Sequence, residues 1–271
     1  MRITRDLGGG HAWTLHEGVL DDGRRVFVKK GAGAADASGV LESEAAGLRW
    51  LAEPGAVAVP EVIAPDGGAL VQEWVDPAPA TPGAAEKFGR SLAALHAAGA
   101  PAFGALWAGY IAELPMGNEA APDWPSFYVS RRVLPFVRLA RDRGALSAAD
   151  VELVEEACDR VPEIAGPAEP PSRIHGDLWS GNVLWSADGV VLVDPAAHGG
   201  HRETDLAMLA LFGAPHLGTI LAAYREAAPL ADGWRERVPL HQLHPLAVHV
   251  CLFGEAYRGS LLTAAGDVLA L

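Results

Sequence analysis

Three oxygen-bearing side chains fall at intervals that suit phosphoryl transfer: Asp177, Asn182 and Asp194. The first two stand in Ile174-His175-Gly176-Asp177-Leu178-Trp179-Ser180-Gly181-Asn182, the third after Val190-Val191-Leu192-Val193. In Asp-x-x-x-x-Asn followed by a second Asp after a strand pair, the first Asp can accept a hydroxyl proton while the Asn and the second Asp hold metal. Mg²⁺ suits that pair, because it keeps several waters and takes one or two protein oxygens plus substrate phosphates. Each residue alone is ordinary strand-end turn chemistry. The combined spacing carries the reading.

A hairpin has to position these groups. Asn182 to Trp185 and Val190 to Val193 are β-rich and flank Asp188-Gly189, a strong short-range hairpin signal. Antiparallel pairing then brings Asn182 beside Asp194. Upstream, Trp13 to Leu20 and Arg25 to Lys30 read as strands joined at Asp21-Asp22-Gly23, with a loop at Gly8-Gly9-Gly10 before them. Glycines let a backbone approach phosphates, although a lone triplet is more often a turn. Lys29 ends the apolar run Val26-Phe27-Val28 and needs a partner if it points inward. The following helix, with Leu41, Ala45, Leu48 and Ala52 as its stripe, offers two glutamates. Glu44 lies about 60° from the stripe and Glu42 about 100° off on the other flank, which favours Glu44. Such a pair orients the lysine toward the α/β-phosphates in kinases; exposed strand-end lysines are the plainer alternative.

Pro60 to Pro65 and Ala69 to Val75 read as two more strands around Asp66-Gly67-Gly68, and Pro77 to Gly83 is a linker by composition. The boundary therefore falls between 1–76 and 77–271. Beyond it, Ala84 to Ala98, Leu134 to Arg143 and Ser147 to Val161 have helical periodicity, with Ser147 a plausible N-cap. Residues 103 to 132 read as irregular, and long irregular stretches in compact domains are usually functional. Asp205 opens an apolar helix, where Asp is a good N-cap. His96, and His241, His244 and His249, are expected as packed or hydrogen-bonded histidines rather than zinc ligands, because no cysteine or acid joins them at ligand spacing.

The 271 residues suffice for one bilobal domain or two small ones. A formal charge of −13 with scattered acids argues against a nucleic-acid surface. No signal peptide or membrane-length apolar run is visible, and Cys158 and Cys251 sit apart in apolar helical patterns, so a cytoplasmic protein with two reduced thiols is expected.

His-Gly-Asp-Leu-Trp-Ser-Gly-Asn at 175 to 182, with Asp-Pro-Ala-Ala-His-Gly-Gly-His-Arg-Glu-Thr-Asp-Leu-Ala-Met at 194 to 208, resembles the fructosamine kinase (ketosamine-3-kinase) family. Pro229-Leu230, Gly233-Trp234, His241-Gln242-Leu243 and Leu252 to Tyr257 extend the likeness to the C-terminus. The resemblance implies an α+β, bilobal protein-kinase-like fold, with a small antiparallel-sheet lobe and a larger, mainly helical one. It implies ATP and Mg²⁺, and transfer of the γ-phosphoryl group to the C3 hydroxyl of a small-molecule ketosamine or a glycated protein amine. By the same resemblance Asp177 is the base, Gly8, Gly9, Gly10, Lys29 and Glu44 serve the phosphates, and Glu73, Trp74 and Val75 form the hinge that meets adenine. His175 and Asp205 support the loop. Trp179, Asn118, Trp124 and Arg132 are expected on the acceptor side; packing of the loop against the helical lobe is the alternative for Trp179, and hydrophobic anchoring of a long loop for the other three. His198 and His201 depart from the family pattern of an aromatic and an acidic residue, which touches the rim of the site. A kinase for aminoglycoside- or choline-like hydroxyls, and a nucleotide-binding pseudokinase, are the alternatives; Leu178-Trp179-Ser180-Gly181 counts against the first and the complete polar set against the second.

Overall fold

The alternation Val26-Phe27-Val28-Lys29 builds the central strand of the N-terminal sheet. The computed structural model describes residues 1–10, 12–32, 37–66 and 68–271; Gly67, expected in a turn, lies outside them. Strands β1 (Arg2–Gly9), β2 (Trp13–Val19), β3 (Arg25–Gly31), β4 (Val62–Asp66) and β5 (Ala69–Glu73) form one antiparallel sheet in the order β1-β2-β3-β5-β4. Val26 and Val28 are fully buried against Val71 on one face. The period of two turns Phe27 and Lys29 to the other face, with Leu70 and Gln72 opposite them in register. Helix α1 (Ala37–Ala52) covers that face, packing Leu41 and Ala45 on Leu70. The expected loop at Gly8 to Gly10 is mostly strand: Gly8 and Gly9 finish β1 and only Gly10 follows it. β1 is exposed along its whole length, so it lacks the one-sided alternation by which a strand is recognised.

After β5 the chain becomes mainly helical. Thr81 caps α2 (Pro82–Ala97), accepting from the Ala84 amide. The stretch 103 to 132 is more ordered than its composition suggests: β6 (Gly109–Ile111) and β7 (Leu114–Met116) form a hairpin. Helix α3 (Trp124–Phe127) then runs through a π-helical turn, Tyr128–Val133, into α4 (Leu134–Asp142). Helix α5 (Ala148–Ile164) carries a reciprocal cap between Ser147 and Asp150. Next come β8 (Ser172–Ile174), the hairpin β9 (Val183–Ser186) and β10 (Gly189–Leu192), and β11 (His198–Gly200), which returns to pair with β8. Helices α6 (Arg202–Phe212), α7 (Leu217–Ala227), α8 (Val238–Phe253) and α9 (Arg258–Leu269) complete the chain. His201, not Asp205, caps α6 through its Nδ1 on the Glu203 amide, so Asp205 sits inside the first turn. One core lies among α4, α5, α8 and α9, and a second beneath α2, the β9–β10 hairpin and α7. Cys158 and Cys251 are free and buried in the first. Among the described residues no helix is long and apolar enough to cross a membrane.

Candidate active site

The loop between β8 and β9 is held from beneath. Gly176 has φ +81°, and a Cβ there would run into the Ala196 carbonyl, so only glycine lets the loop pass β11. The fully buried Asp205 accepts from the amides of His175 (2.8 Å) and Gly176 (2.9 Å). His96 on α2 holds the same carboxylate through Nε2 at 3.1 Å and meets the Tyr224 hydroxyl through Nδ1 at 2.8 Å. The His175 ring bridges the Val193 carbonyl (2.9 Å) and the Asp177 amide (3.3 Å). A buried polar frame thus fixes the backbone on both sides of Asp177.

Asn182 closes the loop. Its Nδ2 donates to the Asp177 carbonyl (2.9 Å), Asp177 Oδ2 (3.1 Å) and the Asp194 carbonyl (3.3 Å). Burial raises the Asp177 carboxyl to about pH 7, with the Asp194 charge adding to it and the Asn182 bond opposing. Asp194 is the second residue beyond the hairpin and adopts φ +53°, a conformation non-glycine residues rarely hold.

Across the cleft, Lys29 Nζ donates to Glu44 Oε2 and to Asp194 Oδ1, both at 2.8 Å. Burial disfavours the Lys29 ammonium, and the two carboxylates outweigh that, keeping it charged. Glu44 is buried, and Gln72 Nε2 donates to its second oxygen at 2.9 Å. Glu42 faces outward and accepts from Ser38. No motif singles out Gln72; its one signal in the sequence is a polar residue on the inner face of a central strand. The indole of Trp13 lies 5.1 Å from Lys29 Nζ.

A cleft of about 940 Å³ opens from this ion pair, walled by Leu15, Phe27, Val183, Leu184 and Trp185. Glu73, Trp74 and Val75 line it as one edge. The Glu73 and Trp74 amides are taken by the carbonyls of Glu61 (2.9 Å) and Arg25 (3.2 Å). Among the described residues nothing takes the Val75 amide or carbonyl. Of the three glycines only Gly10 reaches the cleft wall; Gly8 and Gly9 pair with β2.

A smaller cavity of about 220 Å³ adjoins the first, lined by Asp177, Trp179, Asn182, Asp194, His249 and Phe253 among others. Trp179 is 40% exposed beside Asp177. Asn118, Trp124 and Arg132, expected on the acceptor side, line neither of these two cavities. Arg132 is buried over the Phe127 ring, donating to Asn118 Oδ1 (2.8 Å), His198 Nε2 (3.3 Å) and the Gly117 carbonyl. Trp124 stacks on Tyr128 and His241, 4.8 Å from each. These residues anchor the 103 to 132 stretch through stacked rings and through an arginine whose hydrogen bonds offset the cost of its burial. His198 and His201 are likewise interior. His241, His244 and His249 bond separately to Thr204, the Arg132 carbonyl and the Pro245 carbonyl. His241 does approach His201 and Glu203, but Arg237 takes both Glu203 oxygens, at 2.6 and 2.9 Å.

The donor set facing the cleft suits a hard cation. Three acceptors around Asn182 Nδ2 leave its Oδ1 without a donor among the described residues, and the Asp194 carboxylate is exposed to the cleft with one oxygen on Lys29. Asn and Asp oxygens alone, with room for phosphate, fit Mg²⁺ and not a soft metal.

A profile of the family described as fructosamine kinase matches residues 4–270. The chain is 32% identical over 296 aligned positions to a mouse ketosamine-3-kinase, covering 97% of this chain and 93% of that one. A Thermobifida fusca crystal structure assigned as a fructosamine-3-kinase superimposes with a TM-score of 0.94 at 55% identity, over 98% of this chain and 93% of its own. A type I macrolide 2'-phosphotransferase shares the fold at a TM-score of 0.65 and 19% identity, over 97% and 90% of the two chains.

Proposed function

The chain belongs to the fructosamine kinase family and is an ATP-dependent phosphotransferase of the protein-kinase-like fold; from that premise we propose that it phosphorylates the C3 hydroxyl of ketosamines. The observation that carries this reading is the convergence of Asp177, Asn182, Asp194 and Lys29 between a large apolar cleft and a small acidic cavity. ATP lies in the large cleft with adenine at Val75, whose backbone groups are unpaired among the described residues, and its phosphates run past Gly10 to Lys29. Lys29, held by Glu44 and Gln72, orients the α/β-phosphates. The acceptor occupies the small cavity against Trp179.

Asp177 accepts the proton of the acceptor hydroxyl; the oxygen bonds to the γ-phosphorus as the bond from that phosphorus to the β-phosphate oxygen breaks, and ADP leaves. A carboxyl raised toward neutrality is a better proton acceptor than an ordinary one. Asn182 and Asp194 would hold Mg²⁺, which supplies charge neutralisation on the transferring phosphates. The boundary between lobes falls at 76/77, just past Val75. We place the protein in the cytoplasm, where ATP is available and the two buried thiols stay reduced. Phosphorylated ketosamines break down and free the amine, so the physiological sense is repair of glycated amines.

The test is ADP release from Mg-ATP with a fructosyl amine, an aminoglycoside, choline and no acceptor. Turnover on the fructosyl amine alone, lost on adding EDTA, is the expected result. Preference for an aminoglycoside or choline, or ADP release that ignores the acceptor, would overturn the reading.

A further inference from the structure

Four aromatic rings from three elements meet outside the small cavity. Phe212 ends α6, His249 and Phe253 lie one turn apart at the end of α8, and Tyr257 closes the 3₁₀ turn after it. His249 is the hub, with ring centroids 4.9 Å from Phe212, 5.5 Å from Phe253 and 4.8 Å from Tyr257. Trp179 joins edge-on to Phe212 at 6.3 Å. Phe253 is 58% exposed and Phe212 36%. Single exposed apolar residues are ordinary, but a contiguous cluster at a cavity mouth is not.

The cluster is continuous with the reaction centre, since His249 and Phe253 line the same cavity as Asp177. Of the acids lining that cavity, Glu44 and Asp194 are ion-paired to Lys29, and Asp177 has no cation on it among the described residues. His249 Nδ1 is fixed on the Pro245 carbonyl at 2.7 Å, and Nε2 has no partner among the described residues. Burial keeps the ring neutral, so with Nδ1 donating, Nε2 is an acceptor. The ring faces around His249 favour a protonated amine. In a ketosamine the nitrogen is carried two carbons along from the reacting hydroxyl's carbon. With that hydroxyl at Asp177, the group on nitrogen must leave the cavity through its mouth.

We infer that Phe212, His249, Phe253 and Tyr257 form an amine-side subsite that selects ketosamines whose nitrogen carries an aromatic or bulky apolar group. This rests on the ketosamine reading of the site. The test compares 1-deoxyfructosyl adducts of benzylamine and methylamine, which share the sugar and differ only at the mouth. The wild-type protein favours the benzylamine adduct in kcat/KM by roughly two- to tenfold, the range of an aromatic contact, mainly through KM. In Phe253→Ala and in Phe212→Ala that ratio falls toward one, and in Phe212→Ala, which lies outside the nucleotide cleft, the KM for ATP holds. Equal use of both adducts by the wild type, or variants that lose both adducts equally, overturns the subsite and leaves the ketosamine reading standing. Phosphorylation of neither adduct overturns both.

Discussion

At the residue scale, the site divides into a group that handles the proton and groups that hold phosphate. Asp177→Asn keeps shape and Asn182 contact but removes the acceptor, so kcat should fall by roughly 10² to 10⁴ with nucleotide affinity retained; near-normal kcat in a steady-state assay would reassign the base. Lys29→Ala leaves Glu44 buried without its cation, and should cripple transfer. Glu44→Ala is milder, because Asp194 still holds Lys29 at 2.8 Å. Glu42→Ala, outside the cleft, should behave as wild type. Among these, Gln72→Leu separates support from chemistry: it strips one bond from Glu44, so KM for ATP rises more than kcat falls. Kinetics on those four variants check the order.

At the scale of elements, the contact of α2 with α7 decides how firmly the catalytic loop is backed. Gly89 lies on α2 where a Cβ would meet the Ile220 carbonyl and Ala223 of α7. In an open helix Gly→Ala stabilises by about 1 kcal/mol. Here overpacking wins, and Gly89→Ala should destabilise by about 1–3 kcal/mol, read as a lower Tm. A raised Tm would mean the helices yield freely. The same two helices present His96 to Asp205 and Tyr224 to His96, so their spacing also sets the loop's anchor.

For the whole molecule, a buried ion pair makes stability depend on acid. Burial alone would raise the Glu203 carboxyl, but His241 and Arg237 outweigh it and hold it at about 2, from an ordinary 4.5. A depressed carboxyl contributes stability that is complete above its unfolded value and lost as pH falls through the folded one. That contribution is therefore present at neutral pH and drains between about pH 4.5 and 2. Glu203→Gln should lower Tm at pH 7, breaking a buried pair at a cost of about 3–5 kcal/mol. The gap to wild type should narrow as pH falls through that window. A gap constant with pH, in thermal melts from pH 7 to 3, would show that the pair does not titrate with folding.

Local pattern alone determined the hairpin of Asn182 to Val193, the alternation that turns Lys29 inward, the helical face that selects Glu44 and the cap at Ser147. Each depends on neighbours within a few residues or on a strict period, and such signals survive in the chain order. Tertiary structure decided the rest. Only the return of β11 beside β8 explains Gly176, and only the packing of α2 and the loop after β8 on α6 gives Asp205 its three partners. Arg132, Asn118 and Trp124 have the composition of a binding loop, yet the fold encloses them, because a buried arginine with satisfied donors looks in sequence like an exposed one. The rings of Phe212, His249 and Tyr257 meet for the same reason: distance along the chain says nothing about which side chains share a cavity mouth once α6 and α8 pack together.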